Sequence, residues 1–163
     1  MAAGAGGDMA DVVRRIDGAL ENLAAELGLA GLSLDEEDQC LIAIDDKALL
    51  IQYFDDPELA VLHIDLGPIP ETGMAEALRT LMIANTSWRE TGGGALGLAP
   101  ESGHAVLMAR LDLEEVDAER FVDKVGDLVE AAQQWARRLR GMSVTQSGAV
   151  AGDSHHLNQP IRA

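Results

Sequence analysis

Residues 39–66 read QCLIAIDDKALLIQYFDDPELAVLHIDL, and they decide the fold. Three apolar runs, Gln39 to Ile44, Ala48 to Phe54 and Leu59 to Leu66, are separated by Asp45-Asp46-Lys47 and by Asp55-Asp56-Pro57-Glu58. Short acidic side chains bond their own backbone and proline presets φ, so both separators are turn sequences. Connections this short predict an antiparallel meander, because a parallel pair needs a crossover of about a dozen residues or more. The runs do not alternate apolar with polar as a sheet with one wet face does. Leu41 to Ile44 is continuous, as is Leu49 to Ile51, while Leu59, Val61, Leu62 and Ile64 place apolar groups on both faces.

The flanking sequence supplies helices on either side of this meander. Val12, Ile16, Leu20, Leu23 and Leu27 recur at spacings of three or four ahead of Gly28, so an amphipathic helix is expected from about Met9 to Leu27. Downstream, Met74, Ala77, Leu78, Leu81 and Met82 predict a second helix over about Glu71 to Thr86. Strands over about Ala95 to Leu98 and Ala105 to Leu111 flank the turn Pro100-Glu101-Ser102-Gly103. A last helix opens near Asp117, an N-cap residue, and lines up Phe121, Val125, Leu128, Ala132, Trp135 and Leu139 on one face. Its end carries Arg137, Arg138 and Arg140, which suit the negative pole of a helix. The order αβββαββα makes an α+β domain, a twisted antiparallel sheet flanked by helices. Three helices are few for two apolar sheet faces, so apolar surface is expected to remain for another chain. The alternative is that loops or sheet twist hide it.

Composition bounds the rest. The 163 residues make one domain, over 9–140, between a flexible N-terminus, 1–8, and a flexible C-terminal tail, 141–163, rich in Ser, Gly, Ala and Gln. The 28 acids against 12 bases leave a formal charge of −16, which repels nucleic acid and anionic membranes. The single cysteine, Cys40, excludes an internal disulfide framework. The chain start lacks the basic and apolar stretches of a signal peptide, and no run suits a membrane helix, so a cytoplasmic setting is expected.

Catalytic motifs are sparse. Gly92, Gly94 and Gly97 match G-x-G-x-x-G, but a dinucleotide loop needs a strand before it and a helix after it, and here the expected order is reversed. Ser102-Gly103-His104 lies in a turn and has no third group to activate a nucleophile. His63 and Asp65 share one strand face and form a candidate acid/base pair, with a hydrogen-bonded histidine as the alternative. His155-His156 stand on the tail without further ligands, and Asp35-Glu36-Glu37-Asp38 lack the glycine and spacing of a calcium loop. Cys40 has no neighbouring base and is assigned to the core. No catalytic residue, metal ligand or cofactor is assigned.

The second half carries a resemblance. Asn85-Thr-Ser-Trp88, Gly93-Gly94-Ala-Leu96-Gly97-Leu98, Ser102-Gly103, Arg110-Leu111-Asp112-Leu113 and the Ala-x-x-x-Trp-x-x-x-Leu run through Trp135 and Leu139 resemble the class I (CesT/SycE-like, Tir chaperone family) type III secretion chaperones. Over the first half, from Val12 onward, the likeness is one of pattern, including the Leu-Gly-Leu step at Leu27 to Leu29. The resemblance implies a homodimeric, ATP-independent chaperone. Such a protein binds the N-terminal segment of a secreted effector, keeps it partly unfolded and export-competent, and presents it to the secretion apparatus. It further implies a dimer interface at Leu78, Leu81, Met82, Trp88 and Leu96, and effector-binding positions at Leu20, Leu23, Leu41, Leu50 and Ile51. Each has a core reading beside it, and Trp88 and Trp135 are expected to hold the fold. A general interaction adaptor of the same fold and a small-molecule enzyme or sensor using His63 and Asp65 are the alternatives.

Overall fold

Two acidic turns fold residues 39–66 back on themselves twice. Asp45 takes a left-handed backbone conformation, φ 53°, which aspartate tolerates, and with Asp46 forms a two-residue hairpin loop closed by Ile44 opposite Lys47. The computed structural model describes the backbone of residues 8–149 and the side chains of 15–142. Its elements are α1 (Asp8–Leu27), β1 (Gln39–Ile44), β2 (Lys47–Asp55), β3 (Glu58–Pro68), α2 (Met74–Ala84), β4 (Ala95–Leu98), β5 (His104–Asp112) and α3 (Ala118–Ala149). The expected order αβββαββα is the observed one. Val12 and the pair His155-His156 lie outside the described side chains.

The five strands form one antiparallel sheet in the order β1-β2-β3-β5-β4. Side chains alternate across a strand, so only every second residue meets the helices. Cys40, Ile42, Leu49, Ile51, Leu62, Ile64 and Leu107 are buried on one face. They share a single core with Ile16, Leu20 and Leu23 of α1 and with Phe121, Leu128 and Trp135 of α3. The helix α3 starts where expected: the Arg120 amide donates to Asp117 Oδ1 at 2.9 Å, an N-cap bond. At its far end it runs through Gly141 to Ala149, past the point where a tail is expected to begin. Gly141 keeps an ordinary helical φ and no proline follows within the helix, so nothing stops it there.

Hydrogen bonds within the α2–β4 region and from α3 hold that region in place. The Asn85 side chain donates through Nδ2 to the Leu96 carbonyl at 3.0 Å and accepts from the Leu96 amide at 2.8 Å. Both Leu96 groups point away from β5, so Asn85 occupies the outer edge of β4 as a neighbouring strand would. The buried Trp135 donates its indole N–H to the Glu90 carbonyl at 2.6 Å, and the Arg138 guanidinium lies 4.8 Å over the ring. The turn between Asn85 and β4 then presses against its neighbours. A Cβ on Gly92 would come within 2.7 Å of the Asp127 carbonyl oxygen, and one on Gly94 within 2.5 Å of the Met108 carbonyl oxygen.

This contrast yields a measurable prediction. Gly94→Ala forces backbone apart and is expected to cost about 2–4 kcal/mol in urea unfolding. Gly93 has φ 82° but open space around it, so Gly93→Ala is expected to cost only about 1–2 kcal/mol from the left-handed backbone.

Candidate functional site

Among the described residues, helices pack on one face of the sheet only. The other face is crossed by a row that the register defines strand by strand: Leu41 opposite Leu50, Leu50 opposite His63, His63 opposite Met108, and Met108 opposite Ala95. None of the five is buried, and Leu41 is 71% exposed. The Met108 side chain leans over Gly97, the next position of β4 on that face. At one margin of this face β1 is the terminal strand of the sheet; Asp35 donates its amide to the Gln39 carbonyl at 2.7 Å and accepts from the Gln39 amide through Oδ1 at 2.9 Å, and no described strand pairs with the edge beyond. The opposite edge, β4, is the one occupied by Asn85.

A second apolar surface lies on α2. Its inner face sets Ala77, Leu81 and Ala84 into the core, which leaves Met74, Met82 and Ile83 exposed and Leu78 half-buried. Met74, Leu78 and Met82 follow the four-residue spacing of one helix stripe. Met82 is 73% exposed and Trp88 is 82% exposed. Large apolar side chains grouped this way mark interaction surfaces in soluble proteins.

The structure divides the residues singled out from sequence. For self-association, Met82 and Trp88 are exposed and Leu78 is partly so, whereas Leu81 and Leu96 are buried in the chain's own core. The helical period decides this, since Leu81 shares its face with Ala77 and Ala84, and Leu96 shares its sheet face with Leu107. For partner binding, Leu41 and Leu50 lie on the open face, whereas Leu20 and Ile51 are fully buried. Leu23 is also buried and floors a groove between α1 and α3. Trp135 holds the fold as expected. Trp88 does not, because the chain before Gly92 turns its ring outward. Ile83 and Phe54 are exposed apolar residues that the sequence reading missed, and the stripe spacing alone did not distinguish Ile83 from a core position.

The polar candidates do not assemble a reaction centre. Asp65 turns to His104, whose Nδ1 lies 2.9 Å from its carboxylate, so the expected partner of His63 is already engaged. Burial holds the His63 imidazole below its ordinary range. Cys40 is buried, and burial, reinforced by the charge of Asp35, pushes its thiol up, away from the reactive thiolate. Lys47 is buried and paired with Asp46 at 2.8 Å, whose carboxylate that bond holds down. Among the described residues no group of three or more His, Cys, Asp or Glu is set to hold a metal ion, and no described helix is long and apolar enough to cross a membrane.

Known proteins resemble this chain in sequence and in fold. Residues 18–136 match the Tir chaperone protein (CesT) family. A protein of Chlamydia pneumoniae is 28% identical over 122 residues, which are 74% of this chain and 92% of that protein. Among solved structures, the ExsC–ExsE complex contains a chain similar at a TM-score of 0.67 and 23% identity, over 78% of this chain and 95% of that one. The HopA1–SchA chaperone–effector complex gives 0.66 at 20% identity, over 80% and 98%. The Yersinia pestis type III secretion chaperone SycH, solved with a fragment of YscM2, gives 0.59 at 19%, over 73% and 98%.

The open face has a pH signature. A histidine whose folded value is depressed below 6.5 binds its proton more readily in the unfolded chain, so its contribution makes stability fall as pH drops through and below that value. The unfolding midpoint of His63→Gln, followed in urea from about pH 7 to about pH 5, is expected to lose less than that of the parent chain.

Proposed function

This chain belongs to the Tir chaperone (CesT) family of type III secretion chaperones, and from that premise we propose a homodimeric, ATP-independent chaperone that binds the N-terminal segment of a secreted effector. Binding is stoichiometric and involves no bond-making chemistry. It keeps the segment partly unfolded, export-competent and available to the secretion apparatus, in the bacterial cytoplasm. The chain works without a cofactor and binds neither nucleic acid nor membrane.

The observation that carries this reading is the uncovered sheet face, bordered by the β1 edge, which Asp35 engages at Gln39 alone, and by the β4 edge, which Asn85 engages at Leu96. An extended peptide gains main-chain hydrogen bonds at a free strand edge and specificity from every second side chain. The side chains of Leu41 and Leu50 stand beside that edge. Ordering a flexible segment costs binding free energy, so a long wrapped contact is needed to offset it. Two copies joined through α2 double the available surface, and the chain's charge of −16 attracts basic segments from a distance. The likeness to the HopA1–SchA chaperone–effector complex supports the same reading.

The α2 stripe supports the dimer. Met74, Met82 and Ile83 present large apolar groups on α2, Leu78 is half-buried on the same helix, and Trp88 stands exposed on the loop that follows it. Joining two such surfaces about a two-fold axis covers both at once.

Light scattering is expected to report a dimer for the parent chain and a monomer for Met82→Glu, with unchanged far-UV circular dichroism, because that substitution charges an exposed position. Leu81→Glu is expected to unfold the chain, since it places a charge in the core. A monomeric parent chain counts against the interface. A tagged pull-down from the native cell, read by mass spectrometry, is expected to recover one dominant secreted protein held through its N-terminal segment. Leu41→Asp is expected to reduce that capture without loss of fold. Recovery of a folded cytoplasmic enzyme in its place would refute the secretion role.

A further inference from the structure

A groove of about 650 Å³ lies between α1 and α3, at the turn end of β1. Leu27, Ile44, Val122 and Val129 line it over the buried Leu23, so its floor is apolar. Its walls also carry four carboxylates, Glu26 from α1 and Asp123, Asp127 and Glu130 from α3, all exposed, and no lysine or arginine lines it. None of the four is ion-paired with a described cation; Glu130 only accepts from the Gln134 amide at 3.2 Å. Four like charges around one apolar opening repel each other.

A glycine adds a second, independent observation. Gly126 lies inside α3 and lines the same groove. Its backbone has an ordinary helical φ, and a Cβ built on it meets nothing within 4 Å. Neither strain nor close packing requires glycine there, and glycine is disfavoured in a helix interior. Its effect is to keep the groove open where any larger side chain would fill it.

We propose that this groove takes an apolar side chain of the bound segment and that its acidic rim selects segments carrying lysine or arginine on both sides of that side chain. This rests on the chaperone reading and specifies its partner's chemistry. Ile44 belongs both to β1 and to the groove, so a strand laid along the β1 edge beyond Gln39, where Asp35 no longer engages it, continues over the opening. The aliphatic stems of lysine and arginine cover the apolar walls while their charged ends reach the carboxylates. Glutamate in the same places meets four like charges and is rejected, which is how charge gives specificity at an interface.

The test uses the full chain and two synthetic peptides of about ten residues with the same leucine-centred apolar core, one flanked by lysines and one by glutamates. Fluorescence anisotropy is expected to show the lysine-flanked peptide binding at least about tenfold more tightly, with a marked loss at high salt. Amide shifts on labelled protein are expected to cluster around Glu26, Gly126 and Glu130. Gly126→Leu fills the groove and is expected to weaken this peptide about tenfold while circular dichroism stays unchanged. The triple change Glu26→Lys, Asp123→Lys and Glu130→Lys is expected to reverse the preference between the two peptides. A control triple at exposed acids elsewhere, Asp55→Lys, Glu71→Lys and Glu101→Lys, alters net charge equally and is expected to keep the preference. Equal affinity for the two peptides, no binding of the lysine-flanked one, shifts away from the groove, or an equal effect of the control triple each overturns the proposal. Undiminished capture of a secreted protein by Gly126→Leu in cells overturns the groove assignment and leaves the chaperone reading standing. Failure of the parent chain to capture any secreted protein removes that reading instead, while the peptide comparison still stands on its own.

Discussion

The molecule depends on a mismatch between a sheet that is apolar on both faces and helices that cover only one. The helices α1 and α3 pack together against the face carrying Ile42, Leu49, Ile51, Leu62, Ile64 and Leu107, and that contact forms the core. Burying a leucine or isoleucine contributes about 1.5–3 kcal/mol, so this face alone is a large part of what opposes chain entropy. The opposite face keeps Leu41, Leu50 and Met108 unburied. That surface carries a cost in water, and its coverage by another chain is the simplest way to recover it.

The fold controls where that coverage takes place. Asn85 closes the β4 edge with two hydrogen bonds, and the Gly92–Gly94 turn and Trp135 clamp the same region to α3 and β5. Held this way, α2 turns Ala77, Leu81 and Ala84 inward and presents Met82 and Ile83 outward. The β1 edge is held in a similar way only at its first residue, where Asp35 bonds both backbone groups of Gln39, and no described strand lies beside the rest of it.

Polar groups play a supporting part. Asp65 with His104, Asp46 with Lys47 and Asp117 with its helix start all serve structure. The carboxylates left over are spread over the exterior, where they keep an apolar-faced protein dispersed and favour basic partners.

Sequence alone determined the element order, the two acidic hairpin turns, the N-cap at Asp117 and the surplus of apolar surface, because each depends on local chemistry or on period. It identified the 85–98 segment by its residues but not what they do there, since the Asn85 and Trp135 bonds join positions 11 and 45 residues apart. It did not separate Ile42 from Leu41, Ile51 from Leu50 or Leu81 from Met82. In each pair both neighbours are apolar, and a period of two or of 3.6 says only that they face different ways. Which way is inward is settled by where α1 and α3 land, and only the tertiary structure decides that. The helix running on past Gly141 has the same origin: composition there favours a tail, but a helix already anchored by Trp135 and Leu139 extends through a glycine at small cost.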